Sequence, residues 1–206
     1  MLLPFLNNVI ICLRYSYVCD TIKTRAYKGG EIEMKIVSQE ELEKSKENLN
    51  FQVDKLYSST NKDSDDARKR THNYFEWLST KTQFVMDEPS FVCDKEDELV
   101  RGAVVWIEFG FNIGNEFGGR HPAIILRKTG SSIFVVPLSS QEPDDKKDYH
   151  VKVEKVYGFR NMVRWTNVLK LQNVSIQRVD TTASIGNVKG YVLNDINNTL
   201  KKCHIF

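Results

Sequence analysis

The chain has 206 residues, of which 41% are hydrophobic, and its 29 Lys and Arg nearly balance its 27 Asp and Glu. This composition indicates a soluble globular protein with room for one large domain, or for one domain and a substantial extension. Four Cys and four His are scattered without the spacing of a zinc site or of a disulfide framework. We therefore expect no metal, no cofactor and a reducing, cytoplasmic environment.

Residues 1–33 are apolar and aromatic but are interrupted by Asn7, Asn8 and Arg14. The clean apolar length falls short of the roughly 20 residues that a membrane-spanning helix needs. The segment also lacks the basic start and the small-residue cleavage site of a signal peptide. We expect no membrane association and low order here. Translation starting at Met34 is one interpretation, and a terminal segment that packs on another surface is the other.

Residues 34–99 are predicted to form a helical extension. Ser38, followed by Glu41 three residues later, is the pattern of a capping box. A polar loop then leads to a second helix at about Asp66–Thr82, which completes an αα-hairpin. The first helix carries an amphipathic stripe made of Leu42, Leu49, Val53 and Leu56. Such stripes pack on each other, on the following domain or on a second subunit.

The charged residues are unevenly divided along the chain. Residues 1–100 carry 14 Lys and Arg against 18 Asp and Glu, whereas residues 101–206 carry 15 against 9. Because phosphate contacts dominate nucleic-acid affinity, the basic second half is consistent with a domain that handles RNA. Just before it lies the acidic run Asp94–Glu98. This run predicts a solvated linker, or alternatively a segment that lies across a basic RNA-binding groove.

Residues 101–140 carry the strongest functional signal. Three β-rich runs predict strands: Ala103–Phe109, Ala123–Leu126 and Ile133–Leu138. Between the first two lies a glycine-rich loop that ends on Arg120, His121 and Pro122. Glycines permit positive φ and close backbone approach, and the guanidinium and imidazole supply charge and proton transfer. Without its flanking motifs, such a loop is typical of an ordinary hairpin connection.

Five pieces of sequence resemble, in this order, the PemK/MazF family of toxin endoribonucleases. They are RG-x-V-x-W from Arg101, the G-x-E-x-GG-x-x-P loop, the VVPLSS strand end, His150-Val151 and VSIQRV at Val174–Val179. The resemblance covers about residues 100–206. It implies an α+β protein in which the helical hairpin extension precedes an SH3-like β-barrel. A closing helix is predicted at Val188–Lys202, with an apolar stripe that packs on the barrel.

The resemblance also implies a function. Family members act as homodimers that cleave single-stranded RNA without a metal, by attack of the ribose 2′-hydroxyl on the adjacent phosphate. An antitoxin protein restrains them. Two family side chains are held responsible, an Arg immediately before the loop's Pro and a Thr or Ser that ends the next strand. Ser139 matches the second, but the first is His121, with Arg120 one residue earlier.

Arg120, His121 and Ser139 are therefore the predicted catalytic residues. The predicted RNA-binding residues are Gly118, Gly119, Ser140 and Arg178. Arg120 and His121 could divide charge stabilisation and proton transfer between them. Adjacent strand residues point to opposite faces, so this division requires that the strand begin after His121. Two other functions stay open: a catalytically weak RNA- or DNA-binding regulatory module, and a protein-binding toxin of the related gyrase-poison type.

Overall fold

A computed structural model describes residues 36–205, so the predictions for residues 1–33 and for the start at Met34 lie outside the described residues. The chain divides into two compact units between Thr71 and His72. No helix in the described part is both long and apolar enough to cross a membrane. The helices are α1 (Gln39–Ser59), α2 (Asp65–Asp87) and α3 (Gly190–Lys202). The strands are β1 (Ala103–Glu108), β2 (Arg120–Thr129), β3 (Ser132–Pro137), β4 (His150–Val153), β5 (Arg164–Asn167), β6 (Gln172–Ser175) and β7 (Gly186–Asn187).

In the first unit, α1 begins at the predicted capping box. The Ser38 hydroxyl accepts a hydrogen bond from the Glu41 backbone, and the Glu41 carboxylate accepts one from the Ser38 backbone. This reciprocal arrangement satisfies two N–H groups that have no partner within the helix. No residue of α1 is buried, and a 2.8 Å hydrogen bond between the Thr60 and Thr71 hydroxyls joins its end to α2. The contact observed between the two helices is therefore polar.

Helix α2 runs five residues beyond its predicted end, to Asp87, and its part from His72 onward belongs to the second unit. A 3₁₀ turn at Glu88–Ser90 follows it and contains Pro89, which cannot donate a backbone hydrogen bond to a continuing helix. Further along this connection, Cys93 and Leu99 are buried in the core of the second unit. The connection is therefore partly packed rather than a freely solvated linker.

The second unit is built around an antiparallel sheet with the strand order β6-β3-β2-β1-β7. Strands β4 and β5 pair separately as a hairpin. That hairpin meets the end of β3 through a two-bond backbone bridge between Ser139 and Trp165. Within residues 36–205 the ladders do not close into a barrel, so the fold is a mixed helix and sheet structure with helices before the sheet and one after it.

Apolar side chains cover both faces of the five-stranded sheet, which explains why its central strands read as continuous apolar runs. On one face Val105, Ile107 and Ile125 pack with residues of 174–179 and with Cys93 and Leu99. On the other face Val104, Ile124 and Val136 pack with the β4–β5 hairpin and with α3. The α3 side chains in that cluster are Val192, Ile196 and Leu200, which confirms the predicted packing of the last helix.

Candidate functional site

The loop between β1 and β2, residues 109–119, is closed at its neck by backbone hydrogen bonds; we call it the glycine loop. The Phe109 N–H donates to the Gly119 carbonyl at 2.9 Å, and the Gly119 N–H donates to the Gly110 carbonyl at 2.7 Å. Gly110 and Gly119 have φ of +83° and +78°, values that L side chains rarely adopt. A Cβ on Gly118 would lie 2.6 Å from the Gly110 carbonyl oxygen. The glycines at this neck are therefore required by its geometry.

Side chains from inside and outside the glycine loop hold Phe117 in place. The Asn112 amide donates to the Phe117 carbonyl at 2.5 Å, and the Gln172 amide donates to the same oxygen at 3.3 Å. The Lys170 ammonium donates to the Asn115 carbonyl. Because Lys170 and Gln172 belong to the segment around β6, the loop is fixed to the body of the second unit.

His121 lies on the same side as Phe117, with the two rings packed edge to face at 4.7 Å. It pairs with Ile107 across β1 and β2, so it points to the face opposite to that of Arg120. Burial lowers the pKa of the imidazole below its ordinary 6.5, against the opposing effects of a hydrogen bond to the Leu138 backbone and of the Glu108 carboxylate. The neutral form, which can accept a proton, therefore persists to a lower pH than in a free histidine.

Arg120 lies on the other face because β2 begins at Arg120, not after His121. Its guanidinium donates to the Asp180 carboxylate at 2.5 Å and stacks over the Trp106 ring at 4.5 Å. Hydrogen bonds from the Thr182 hydroxyl and from Arg120 lower the pKa of Asp180 to about 2. The structure thus separates Arg120 and His121, and the condition for their sharing one phosphate is not met.

Ser139 lies two residues beyond the end of β3 and directly follows Leu138, whose backbone meets β2 close to His121. The Leu138 N–H donates to the Pro122 carbonyl at 2.7 Å. The Ser139 hydroxyl accepts a hydrogen bond from the Gln141 N–H at 3.0 Å, which leaves its own proton available to a ligand. Ser140 beside it is exposed. The structure therefore brings His121 and Ser139 into the same neighbourhood.

An open cleft of about 630 Å³ lies at Ser139. Phe117 and Trp165 contribute aromatic rings to it, and His150 and Lys170 contribute an imidazole and an ammonium group. The His150 Nδ1 accepts a hydrogen bond from the Lys147 N–H at 3.2 Å. In the neutral imidazole the proton is then on Nε2, which can donate to a ligand. The cleft thus combines acceptors, donors and positive charge.

His150, Trp165 and Lys170 were not among the site residues predicted from the sequence. The pairing of β4 with β5, together with the Ser139–Trp165 bridge, brings them to Ser139. Only His150 carried a signal in the sequence, as the first residue of the His150-Val151 motif.

Arg178 lies apart from this cleft. Its guanidinium donates to the Phe109 carbonyl at 3.2 Å and lies 5.1 Å from the centre of the Trp77 ring. Burial lowers its pKa, against the effect of Glu108, but an arginine stays protonated at any physiological pH. Arg178 is therefore engaged with the glycine loop and with α2.

The indole of Trp77 covers Gly110 so closely that a Cβ at position 110 would overlap the ring. Tyr74 packs edge to face on Phe111 at 5.5 Å, and the Gln177 amide donates to the Phe84 carbonyl at 2.8 Å. The part of α2 from His72 onward thus rests on the glycine loop. The acidic run, by contrast, contacts the far end of β2, where Glu96 pairs with Lys128 at 2.7 Å.

Residues 100–204 match the family described as PemK-like, MazF-like toxin of type II toxin-antitoxin system. The chain belongs to this family. The match confirms the resemblance carried by the sequence motifs, and we call the matched residues 100–204 the toxin domain, after the description of the family. Residues 36–99, including both α1 and α2, lie outside it.

Several solved structures are similar to about half of the chain. MazF (form I) from Deinococcus radiodurans is 18% identical, covers 52% of this chain and 96% of its own, and has a TM-score of 0.42. An endoribonuclease in complex with its cognate antitoxin from Mycobacterial species is 15% identical, with coverages of 52% and 95% and a TM-score of 0.39. Toxin MazF-mt6 from Mycobacterium tuberculosis is 13% identical, with coverages of 52% and 98% and a TM-score of 0.39. A comparison with curated proteins finds no match.

Proposed function

We propose that the toxin domain is an endoribonuclease that cleaves single-stranded RNA without a metal ion. The observation that carries this proposal is that His121 is hydrogen-bonded to the Leu138 backbone, while Ser139, the next residue, lines the open cleft. Within residues 36–205, no group of three or more His, Cys, Asp or Glu side chains is arranged to hold a metal. The chemistry we propose uses side chains alone.

In the proposed reaction, neutral His121 accepts the proton of the ribose 2′-hydroxyl as its oxygen forms a bond to the adjacent phosphorus. The bond from phosphorus to the 5′-oxygen breaks, and that oxygen takes a proton from the Nε2 of His150, our candidate for the general acid, which acts in its protonated imidazolium form. The Ser139 hydroxyl and the Lys170 ammonium stabilise the charge on the phosphate oxygens. The products are a 2′,3′-cyclic phosphate and a 5′-hydroxyl.

The other predicted residues take supporting parts in this proposal. Gly118 and Gly119 let the RNA approach the loop backbone closely, and Ser140 offers an exposed hydroxyl beside Ser139. Arg120 supplies positive charge to the RNA backbone on the other face of β2 rather than at the reacting phosphate. Arg178 acts through the glycine loop that its guanidinium contacts.

We further propose that an antitoxin protein restrains this toxin, that the active form is a homodimer, and that it acts on RNA in the cytoplasm. The family description, which places the domain in type II toxin-antitoxin systems, supports the antitoxin. The SH3-like barrel implied by the resemblance belongs to the same proposal. The Ser139–Trp165 bridge supports it, because that bridge brings the β4–β5 hairpin against the end of the main sheet.

The test is cleavage of a long unstructured RNA in EDTA by the full-length chain, beside His121→Ala and Ser139→Ala. We expect cuts that end in a cyclic phosphate and that are lost in both variants. The matched control is His72→Ala, which removes an exposed histidine of α2 and leaves the cleft intact. Cleavage that needs a divalent metal, or that survives in His121→Ala, would contradict the proposal.

A second function is favoured by one observation: Arg120 is held by Asp180 and Trp106, away from the cleft. A domain that lacks an arginine at the reacting phosphate could bind RNA without cutting it. The same assay separates the two functions. Retained RNA binding with no cleavage by the wild-type chain would establish the binding module and exclude the ribonuclease.

A further inference from the structure

The glycine loop is held by a helix that lies outside the toxin domain. The Trp77 indole of α2 covers Gly110 so closely that a Cβ at position 110 would overlap the ring. One turn earlier on the same helix, Tyr74 packs edge to face on Phe111, with the ring centres 5.5 Å apart. These residues all belong to the same compact unit, but Trp77 and Tyr74 lie outside the residues that the family match covers.

Arg178 joins the helix to the loop a second time. Its guanidinium donates to the Phe109 carbonyl at 3.2 Å and lies 5.1 Å from the centre of the Trp77 ring. Beside it, the Gln177 amide donates to the Phe84 carbonyl of α2 at 2.8 Å. Trp77 is therefore in contact with the neck of the loop through Gly110 and with the segment after β6 through the guanidinium.

The backbone under Trp77 leads to His121. The Gly110 carbonyl accepts a hydrogen bond from the Gly119 N–H at 2.7 Å, and the Gly110 N–H donates to the Glu108 carboxylate at 3.1 Å. Gly119 lies two residues before His121, and a Cβ on Gly119 would lie 3.7 Å from the imidazole. A displacement of Gly110 would therefore also displace the segment that carries His121.

A second connection runs through aromatic rings. Phe109 packs edge to face on Phe117 at 5.3 Å, and Phe117 packs in the same way on His121 at 4.7 Å. Because Arg178 holds the Phe109 carbonyl, the position of these rings depends on the contact with α2. Phe117 lines the cleft at Ser139, whereas none of the described residues that line this cleft belongs to α2. The helix can therefore act on the cleft only through the loop.

We propose that Trp77 is a positioning residue for RNA cleavage, which fixes the neck of the glycine loop and thereby the orientation of His121. The second half of α2 is then a working part of the ribonuclease and not its inhibitor. The inference rests on the proposed ribonuclease function, because it assigns Trp77 to that site. A misplacement of about 1 Å at reacting groups can lower a rate by about 100-fold, so a contact remote from the chemistry can affect it.

Cleavage and binding are measured separately, on the full-length chain and at a temperature at which every variant is folded. Trp77→Ala should lower the single-turnover cleavage rate about tenfold, less than a full 1 Å misplacement would. Its affinity for a 2′-O-methyl RNA, in which the attacking hydroxyl is blocked, should change by less than about twofold, because the loss falls on the chemical step. Trp77→Phe keeps a ring over Gly110 and should restore most of the rate.

Val192→Ala is the matched control for lost stability. Val192 is a buried residue of α3 in the apolar cluster on the opposite face of the sheet from the cluster that contains Phe109. The substitution should lower the resistance to urea, because it leaves a small cavity, but it should leave the single-turnover rate unchanged. A weakened fold alone would affect Val192→Ala and Trp77→Ala alike.

The orientation of His121 can also be followed without cleavage, from the NMR signals of its imidazole, which are assigned by their loss in His121→Ala. The ring of Phe117 shifts these signals, because the two rings are in edge-to-face contact. Trp77→Ala should move them towards the values of a solvent-exposed histidine, whereas Val192→Ala should leave them in place.

An unchanged cleavage rate in Trp77→Ala would overturn the inference, and a faster one would make α2 an inhibitory cover. A loss of rate matched by an equal loss of RNA affinity would also overturn it, since Trp77 would then be a binding residue. So would unmoved His121 signals in Trp77→Ala. If the wild-type chain does not cut RNA in EDTA but the His121 signals move as described, the ribonuclease proposal fails and the coupling of Trp77 to His121 stands.

Discussion

The two sides of the glycine loop differ in what covers them. On one side α2 packs on the loop, with Trp77 over Gly110 and Tyr74 against Phe111. On the other side Phe117 faces His121 and the open cleft at Ser139. The loop is thus covered by α2 on one side and borders an open cleft on the other, and contacts on both sides hold it in place.

The two sides also come from different parts of the chain. The residues on the cleft side, from Phe117 to Trp165, all belong to the toxin domain of residues 100–204, whereas Trp77 and Tyr74 belong to the extension outside it. Under the proposed function, the toxin domain carries the reacting groups, and the second half of α2 supports the glycine loop from outside that domain. Substitutions beside the cleft should therefore lower mainly the cleavage rate, whereas substitutions at the contact with α2 should lower mainly the free energy of unfolding.

The largest expected effect is on the cleavage rate, and it comes from a residue on the cleft side of the glycine loop. His121→Ala should lower the cleavage rate by about 100-fold or more, the usual contribution of a general acid or base. Its resistance to urea should change little by comparison, because the imidazole is only partly buried. In the wild-type chain, the rate should fall with acid only below pH 6.5, because burial lowers the pKa of the base. An acid limb centred above pH 6.5 would argue against His121 as the base.

On the side of the loop that α2 covers, Gly110→Ala should lower the free energy of unfolding by about 2–4 kcal/mol. Part of this loss comes from the positive φ, about 1 kcal/mol or more, and the rest from overlap with the indole. The overlap needs Trp77, so Gly110→Ala should cost about 1–3 kcal/mol less in a Trp77→Ala background. Urea unfolding of the two single variants and the double variant measures this coupling.

Gly114→Ala is the control for the Gly110→Ala prediction. Gly114 also has a positive φ, of +60°, but a Cβ there would meet nothing within 4 Å. The substitution should show the backbone penalty without the steric one. If Gly110→Ala and Gly114→Ala were equally destabilising, the packing of Trp77 on Gly110 would have no energetic consequence, and α2 would not stabilise the glycine loop.

The sequence was sufficient to predict the strands that flank the glycine loop, with Ser139 after the third strand, because glycines, prolines and apolar runs are local signals. That His121 and Ser139 form the site stays a prediction. The sequence did not predict Trp165 or Lys170 at the cleft, since their positions there depend on which strands pair. The Trp77–Gly110 contact could not be predicted either, because it joins residues 33 positions apart that share no local pattern.

The separation of Arg120 from His121 follows from where β2 begins. The apolar run predicted a strand from Ala123 onward, with the pair in the loop, whereas the structure begins β2 at Arg120. Strand ends are set by cross-strand hydrogen bonding, here with Glu108 opposite Arg120, which a propensity does not fix. That single position decides which face each side chain uses.

The smallest expected effect tests the Arg120 face. Hydrogen bonds from Thr182 and Arg120 lower the pKa of Asp180 from an ordinary 3.8 to about 2. A carboxyl group whose pKa is lower in the folded state stabilises the protein above pH 4, and this stabilisation disappears as the pH falls towards 2. Asp180→Asn should therefore be less stable than the wild-type chain at pH 5, and the difference should shrink by pH 2. Because the ion pair is partly exposed, we expect a difference of about 1 kcal/mol or less. Urea unfolding between pH 2 and pH 5 measures it, and RNA cleavage at neutral pH should change far less than in His121→Ala. A loss of cleavage as large as that of His121→Ala would show that the Arg120 face belongs to the reacting site after all.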